Sequence, residues 1–175
     1  MRWDAMGPEP PEKQFIDHLE RHQAVVQRVA GLYTHNAEDR RDLVQEILYQ
    51  LWRAWPRYRG EARVTTWMYR IALNTALTGL RRGRGKPEIL PLDADRPGPA
   101  VDPATALRSE RARSLHEAIR ALGPADRAVV MLELEELSHR EIGEVLGISE
   151  NLVNVKLHRI RERLRSMMKD TIHGR

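Results

Sequence analysis

The 175-residue chain contains no cysteine. A disulfide framework and a thiolate metal site are both excluded, and the absence agrees with a reducing compartment. Rings are scarce: four Trp, four Tyr and one Phe make up 5% of the residues, whereas charged residues reach 31%. Few large rings among many Arg, Leu and Glu suit helix packing better than sheet packing. No apolar run approaches the roughly 18 residues that a membrane span requires. The opening MRWDAMGPEPPEKQ has no apolar signal core and reads as a polar, frayed lead-in, so a cytoplasmic location is expected. The seven His residues form no HExxH pairing, and neither a P-loop nor a nucleophile motif occurs. Metal-dependent phosphoryl transfer usually needs clustered carboxylates, yet Glu61 stands alone among arginines. No catalytic residue, metal or cofactor is expected, and the chain does not read as an enzyme.

What the chain does have is charge in blocks. Residues 57–86 carry eight basic groups and one acidic, and residues 150–175 carry seven and three. Between them, residues 109–149 hold five basic and eight acidic groups. Two basic blocks separated by acidic intervals imply two contact zones for a polyanion.

Apolar spacing supplies the architecture. Phe15, Leu19, Val26, Val29 and Tyr33 recur at helical intervals. A second helix, capped by Asp39, carries Leu43, Ile47, Leu51 and Trp52 and stops near Trp55, because Pro56 disfavours helical geometry in the residue before it. A basic loop at 57–64 leads to a third helix, capped by Thr65 or Thr66 and ending at Gly83 and Gly85, with Trp67, Ile71, Ala72, Thr75 and Leu80 along it. Trp67 reads as core and Tyr58, in the loop, as the exposed ring. Residues 86–108 hold half of the chain's ten prolines and read as an extended linker. The expected fold is therefore all-α: two small helical domains, 14–85 and 109–170, joined by a flexible Pro-rich linker.

In the second domain, Leu115, Ile119 and Leu122 share a helix face that Gly123-Pro124 stops, and Asp126 can cap the helix after it. Ser138 and Glu141 have the capping-box spacing. A short helix to Leu146 follows, then Gly147-Ile148-Ser149, then a long helix to about Met168. Gly143 is small where two helices would approach, and Gly147 suits a left-handed helix end. Val153, Leu157, Ile160 and Leu164 mark a buried stripe, which turns Asn151, Asn154, Val155, Lys156, His158, Arg159 and Glu162 outward. This is the pattern of a helix-turn-helix whose second helix reads DNA. The motif alone is shared by repressors, transposases and response regulators.

The first domain narrows the choice. Asp42-Leu-Val-Gln-Glu-Ile-Leu-Tyr-Gln-Leu-Trp52, the loop Arg57-Tyr-Arg-Gly-Glu-Ala-Arg63 and Thr66-Trp-Met-Tyr-Arg-Ile-Ala-Leu-Asn-Thr75 resemble, in order and spacing, the extracytoplasmic-function subfamily of bacterial sigma factors. So do Leu122-Gly-Pro-Ala-Asp-Arg127, Gly-Ile-Ser-Glu150 and Leu157-His-Arg-Ile-Arg-Glu-Arg-Leu164, and the likeness spans roughly residues 14–168. The resemblance implies a factor that binds core RNA polymerase, recognises and melts promoter DNA, and is held in check by an anti-sigma factor. It implies polymerase docking through Asp42, Gln45, Glu46 and Gln50. It implies contact with the −10 element through Arg57, Tyr58, Arg59, Arg63, Arg70, Asn74, Arg81 and Arg82, and with the −35 element through Asn151, Asn154, Val155, Lys156, His158 and Arg159. Two departures bear on promoter preference: Thr78 stands where many relatives have an acid, and Asn151-Leu-Val-Asn-Val-Lys156 where relatives commonly show Gly-Thr-Val-Lys-Ser-Arg. The alternative is a helix-turn-helix regulator that never joins polymerase.

Overall fold

A computed structural model describes residues 11–82 and 103–173, with side chains from 12 to 82 and 112 to 168. The described residues are all helical or in turns and fall into two compact units, as the all-α reading expected.

The first unit is a three-helix bundle of α1 (Pro11–Tyr33), α2 (Ala37–Ala54) and α3 (Val64–Arg81), each packed on the other two. The core is formed by Val26, Val29 and Tyr33 from α1, Ile47 and Leu51 from α2, and Met68, Tyr69, Ala72, Leu73 and Ala76 from α3. Of the α3 residues the spacing singles out, only Ala72 is buried, while Trp67, Ile71, Thr75 and Leu80 are half-buried. Helix α1 bends at His22, whose φ of −122° and ψ of 17° leave the helical region. Two caps differ from expectation. Asn36, not Asp39, caps α2: its side-chain carbonyl accepts from the Asp39 amide at 2.7 Å. Asp39 instead occupies the first turn, where its negative charge favours the helix dipole. Helix α3 begins one residue after Arg63 without any side-chain cap, and Thr66 is buried within its first turn. Pro56 behaves as expected: α2 ends at Ala54 and tightens into a 3-10 turn over Trp55–Arg57. The stop expected at Gly83 and Gly85 lies outside the described residues, and α3 closes at Arg81.

The second unit contains α4 (Pro103–Arg120), α5 (Pro124–Leu134), α6 (His139–Leu146) and α7 (Glu150–His173). Helix α4 starts inside the stretch read as linker. Pro103 stands at its first position, where a missing N–H costs nothing, and residues 104–120 contain neither Pro nor Gly. The linker reading at 86–102 falls outside the described residues. Gly123 is the N-cap of α5, with Pro124 following it, so Asp126 is left free of the capping role. The capping box on α6 is present: Ser138 accepts from the Glu141 amide, and the Glu141 carboxylate accepts from the Ser138 amide at 2.9 Å.

The turn between α6 and α7 fixes their crossing. Gly147 takes φ +69°, and its neighbour Ile148 donates its amide to the Gly143 carbonyl at 3.0 Å. A Cβ on Gly143 would sit 2.6 Å from the Ile148 carbonyl oxygen. Ser149 Oγ then accepts from the Leu152 amide at 3.2 Å and starts α7. At the other end of the hairpin, Glu136 adopts φ +58°, a left-handed conformation in which its Cβ crowds the backbone.

These two positions should respond with opposite signs. Gly143→Ala should destabilise the second unit by on the order of 1–3 kcal/mol, because the added methyl meets backbone that cannot step aside. Glu136→Gly should stabilise it by about 1 kcal/mol, the left-handed strain outweighing the gain in unfolded-state freedom. All four Trp and all four Tyr lie before residue 70. Tryptophan emission therefore follows the first unit alone, while far-ultraviolet circular dichroism follows both. Thermal melts read both ways should show the two variants shifting only the component that emission does not see. Wild-type circular-dichroism melts would contradict both assignments.

Candidate nucleic-acid interfaces

On α3 the buried residues Thr66, Tyr69, Ala72, Leu73 and Ala76 define one side. The opposite side presents Arg63, Trp67, Arg70, Asn74, Thr78 and Arg81 at spacings of three and four, which stacks them in one line. Arg63, Arg70, Asn74 and Arg81 are exposed, as are Arg57, Arg59 and the C-terminal Arg82. The structure thus gathers four of the expected −10 residues into a single cationic stripe with an amide in its middle.

Trp67 belongs to that outward line and not to the apolar stripe to which the sequence reading assigned it. It is only half-buried, and what covers it is another ring. Tyr58 lies 5.0 Å from Trp67 and 5.3 Å from Trp55, centroid to centroid. Trp55 in turn meets Phe15 at 5.6 Å, and Phe15 meets Trp52 at 5.2 Å in an edge-on pair. The scarce rings of this chain form one continuous ladder from α1 across the 3-10 turn to α3. Tyr58 is consequently not the exposed ring that was expected: it is half-buried, and its hydroxyl donates to the Ala62 carbonyl at 2.8 Å, bracing the basic loop that carries Arg59 and Arg63.

Helix α2 shows a second surface. Asp42 and Gln45 are exposed, while Glu46 and Gln50 are half-buried and joined, the Gln50 amide donating to Glu46 at 2.9 Å. Tyr49 sits between them on the same face and is 55% exposed, and Trp52 at its margin is 46% exposed. The sequence reading omitted Tyr49 and placed Trp52 along the helix after Leu43, Ile47 and Leu51 without a surface role. The signal was available for Tyr49, which follows Asp42 by seven residues and Gln45 by four. Trp52 gave no such signal, because its inward edge does pack on Phe15.

On α7 the stripe Val153, Leu157 and Ile160 is buried. Asn151, Asn154, Val155, His158 and Arg159 are exposed, and His158 lies 3.7 Å from Glu162. Leu152, 42% exposed, joins Val155, 39% exposed, and Arg159 along one line. Leu152 was missed because an apolar residue beside a buried stripe is ordinarily read as part of it. Exposed apolar groups beside an arginine and two asparagines match what the major groove displays: thymine methyls beside hydrogen-bonding base edges. Lys156 differs from its neighbours. It is half-buried, and its Nζ donates to Asp126 of α5 at 2.9 Å. Arg161 is similarly paired with Glu133 of α5, which also lies 3.3 Å from His139. Among the described residues no cluster of three or more metal-ligating side chains occurs, and no helix is long and apolar enough to cross a membrane.

One chain thus carries a three-helix unit with a cationic, ring-bearing face and a helix-turn-helix unit whose last helix turns a polar face outward. Each module matches a family model: Sigma-70 region 2 over residues 18–86 and Sigma-70 region 4 over residues 112–164. The chain belongs to the sigma-70 family of RNA polymerase sigma factors, in its extracytoplasmic-function (ECF) subfamily. It is 35% identical over 153 residues to the ECF RNA polymerase sigma-E factor of Haemophilus influenzae, covering 77% of this chain and 78% of that one. It is 33% identical over 171 residues to the ECF RNA polymerase sigma factor SigE of Mycolicibacterium smegmatis, covering 95% of this chain but 66% of that protein. Against SigG of Mycobacterium tuberculosis the identity is 28%, over 92% of this chain and 51% of that protein. The chain thus spans half to two thirds of the length of these mycobacterial relatives. Among solved structures, the fold is similar to the sigma factor RpoE of Bartonella quintana in complex with the anti-sigma factor NepR (TM-score 0.68, 19% identity, covering 90% and 98% of the two chains). It is also similar to CnrH in complex with the cytosolic domain of CnrY (TM-score 0.64, 23% identity, covering 90% and 89%).

The ring ladder makes a local prediction. Tyr58→Ala should remove both the ring stacked on Trp55 and packed against Trp67 and the brace on Ala62, destabilising the first unit by about 2 kcal/mol, below a fully buried ring because Tyr58 is half-exposed. Tyr58→Phe keeps the stack and should lose about 1 kcal/mol with the hydrogen bond. Urea unfolding followed by tryptophan emission gives both values. Equal losses in the two variants would mean that the stack contributes nothing.

Proposed function

We propose that the chain binds core RNA polymerase and directs promoter-specific initiation, with the first unit recognising and melting the −10 element and the second recognising the −35 element. The observation that carries this is the pairing, on one chain, of a region 2 unit and a region 4 unit with outward faces of different chemistry. A regulator that only bound duplex DNA would need α7 alone. It would have no use for the α2 face, where Asp42, Gln45, Glu46 and Gln50 surround an exposed Tyr49 beside Trp52. A polar surface with an exposed aromatic centre is what a protein partner anchors on, and core polymerase is the partner assigned to it. The alternative reading, a regulator that never joins polymerase, leaves that face unexplained.

The α3 stripe is assigned to promoter DNA. Arg57, Arg59, Arg63, Arg70, Arg81 and Arg82 neutralise phosphates, a term that dominates affinity and is screened by salt. Asn74 bonds a base edge, and the Tyr58–Trp67 pair lines the place where an unstacked base would rest, with stacking worth roughly 1–3 kcal/mol per base. In the second unit Asn151, Asn154, Val155, His158 and Arg159, joined by Leu152, enter the major groove. The protein's work is binding and DNA distortion, with no covalent step and no cofactor, and it takes place in the cytoplasm. An anti-sigma factor is a further expected partner, since both solved neighbours are described in complex with other proteins: NepR, an anti-sigma factor, in one case and CnrY in the other.

Reconstitution tests the whole reading. The purified chain, added to bacterial core polymerase and genomic DNA of its host, should form a stable complex and yield transcripts with discrete start sites. DNA binding without polymerase association would sink the sigma role. Glu46→Lys should weaken the polymerase complex at least tenfold while leaving the thermal melt of the second unit unchanged. Arg159→Ala should weaken promoter binding and lower the slope of log affinity against log salt by about 0.9. An unaltered slope would remove Arg159 from the phosphate contacts.

A further inference from the structure

The acidic residues of α5 are not spread over a solvated face. Asp126 and Glu133, seven residues apart, each hold a basic residue of α7. Lys156 and Arg161 flank the buried stripe of α7 on opposite sides, so α5 passes beneath the helix with a carboxylate reaching each flank. The two pairs differ in consequence. Arg161 lies on the flank away from Leu152 and Arg159. Lys156 lies on the same flank as that pair, three residues before Arg159. Its ammonium, one of the charges that the spacing alone assigns to DNA, is bonded to Asp126 at 2.9 Å, and both side chains are about one-third exposed, at 33% and 31%. Asp126 itself sits in the first turn of α5.

We propose that Asp126 is a positioning residue that withholds Lys156 from the phosphate-binding set of α7, lowering the helix's affinity for DNA of any sequence. The proposal rests on the reading of α7 as the DNA-facing helix. A lysine neutralised by a fixed carboxylate releases fewer counterions from DNA than a free one, and phosphate contacts made without regard to sequence supply most of non-specific binding. Holding Lys156 back therefore weakens binding to every duplex by about the same factor. Discrimination is left to Asn154 and to the exposed Leu152 and Val155, groups suited to base edges and thymine methyls.

The test uses the full chain and a random-sequence duplex of 30 base pairs, with binding read by anisotropy across a salt series. Asp126→Asn should tighten binding about three- to tenfold at low salt and steepen the log–log salt slope by about one. Asp126→Glu, which keeps the charge, should behave as wild type. In a Lys156→Gln background, Asp126→Asn should gain much less, because no lysine remains to be released. An equal gain in both backgrounds would show a diffuse charge effect and overturn the proposal, as would wild-type affinity and slope for Asp126→Asn. Arg159→Ala on the same duplex separates the two levels. Weaker binding there with no response to Asp126→Asn refutes the withheld lysine and keeps α7 as the DNA-facing helix. No loss of affinity in Arg159→Ala refutes the DNA-facing reading itself, and the proposal with it.

Discussion

Helix α7 is aimed by a place where two backbones touch. At Gly143 a side chain of any size would run into the Ile148 carbonyl, and this missing atom lets the chain turn back on itself within three residues. Everything downstream inherits that geometry. Gly147 supplies the left-handed turn, Ser149 starts α7, and Val153, Leu157 and Ile160 settle onto the core at the angle so defined. The outward set of α7 is then fixed without any contact of its own, since burying one stripe of a helix determines which residues face away from it. A reading surface built this way is rigid because its support is buried, and recognition of duplex DNA rewards rigidity: bidentate base contacts fail when the donor is misplaced by an ångström.

The first unit solves a different problem and uses different material. All of the aromatic residues in the chain precede residue 70, and five of them form the ladder Trp52–Phe15–Trp55–Tyr58–Trp67. The second unit has none and relies on aliphatic packing plus ion pairs between α5 and α7. The division follows the chemistry assigned to each unit. Melting a promoter leaves bases without their stacking partners, and a ring already braced by other rings offers a replacement at little entropic cost. Reading an intact duplex offers no exposed base face, so rings bring nothing to α7 that leucine, valine and asparagine do not.

What repeats along the chain was legible in it. The buried stripes of α1, α2 and α7 follow from intervals of three and four, and the Ser138–Glu141 box and Gly147 follow from residue types with few other uses, whereas on α3 the spacing picks out only Ala72 of the buried side. Single-residue choices were less legible. Asn and Asp cap helices about equally well, so propensity did not separate Asn36 from Asp39 three residues later, and only the hydrogen bond between them does. Pro103 was absorbed into the linker because composition was averaged over a window, although one proline at a first helical position is permissive. Trp67 and Tyr58, one read as core and the other as exposed, are both half-buried because each packs on Trp55, which the turn at Pro56 brings in from the end of another helix. Trp52 shows one edge to Phe15 and the rest to solvent, a state that a two-valued apolar pattern has no symbol for.

Lys156 marks the limit of spacing as evidence. Its position on α7 is what a phosphate contact requires, and nothing within a helical turn of it argues otherwise. Its partner is thirty residues away on a different helix, at a distance in sequence where periodicity carries no information. A basic residue near a DNA-facing surface is thus ambiguous until the acids around it are known, because the same charge serves either the ligand or the fold. The sum of charges in a block overstates the charge available to a polyanion by the number held internally. In this chain the basic total of the last segment exceeds what α7 offers by at least Lys156 and Arg161, each held by a carboxylate of α5. The acidic interval between the two basic blocks therefore does more than separate them. Part of it is the counter-charge that trims one of them, so the charge α7 turns outward is smaller than the block's sum.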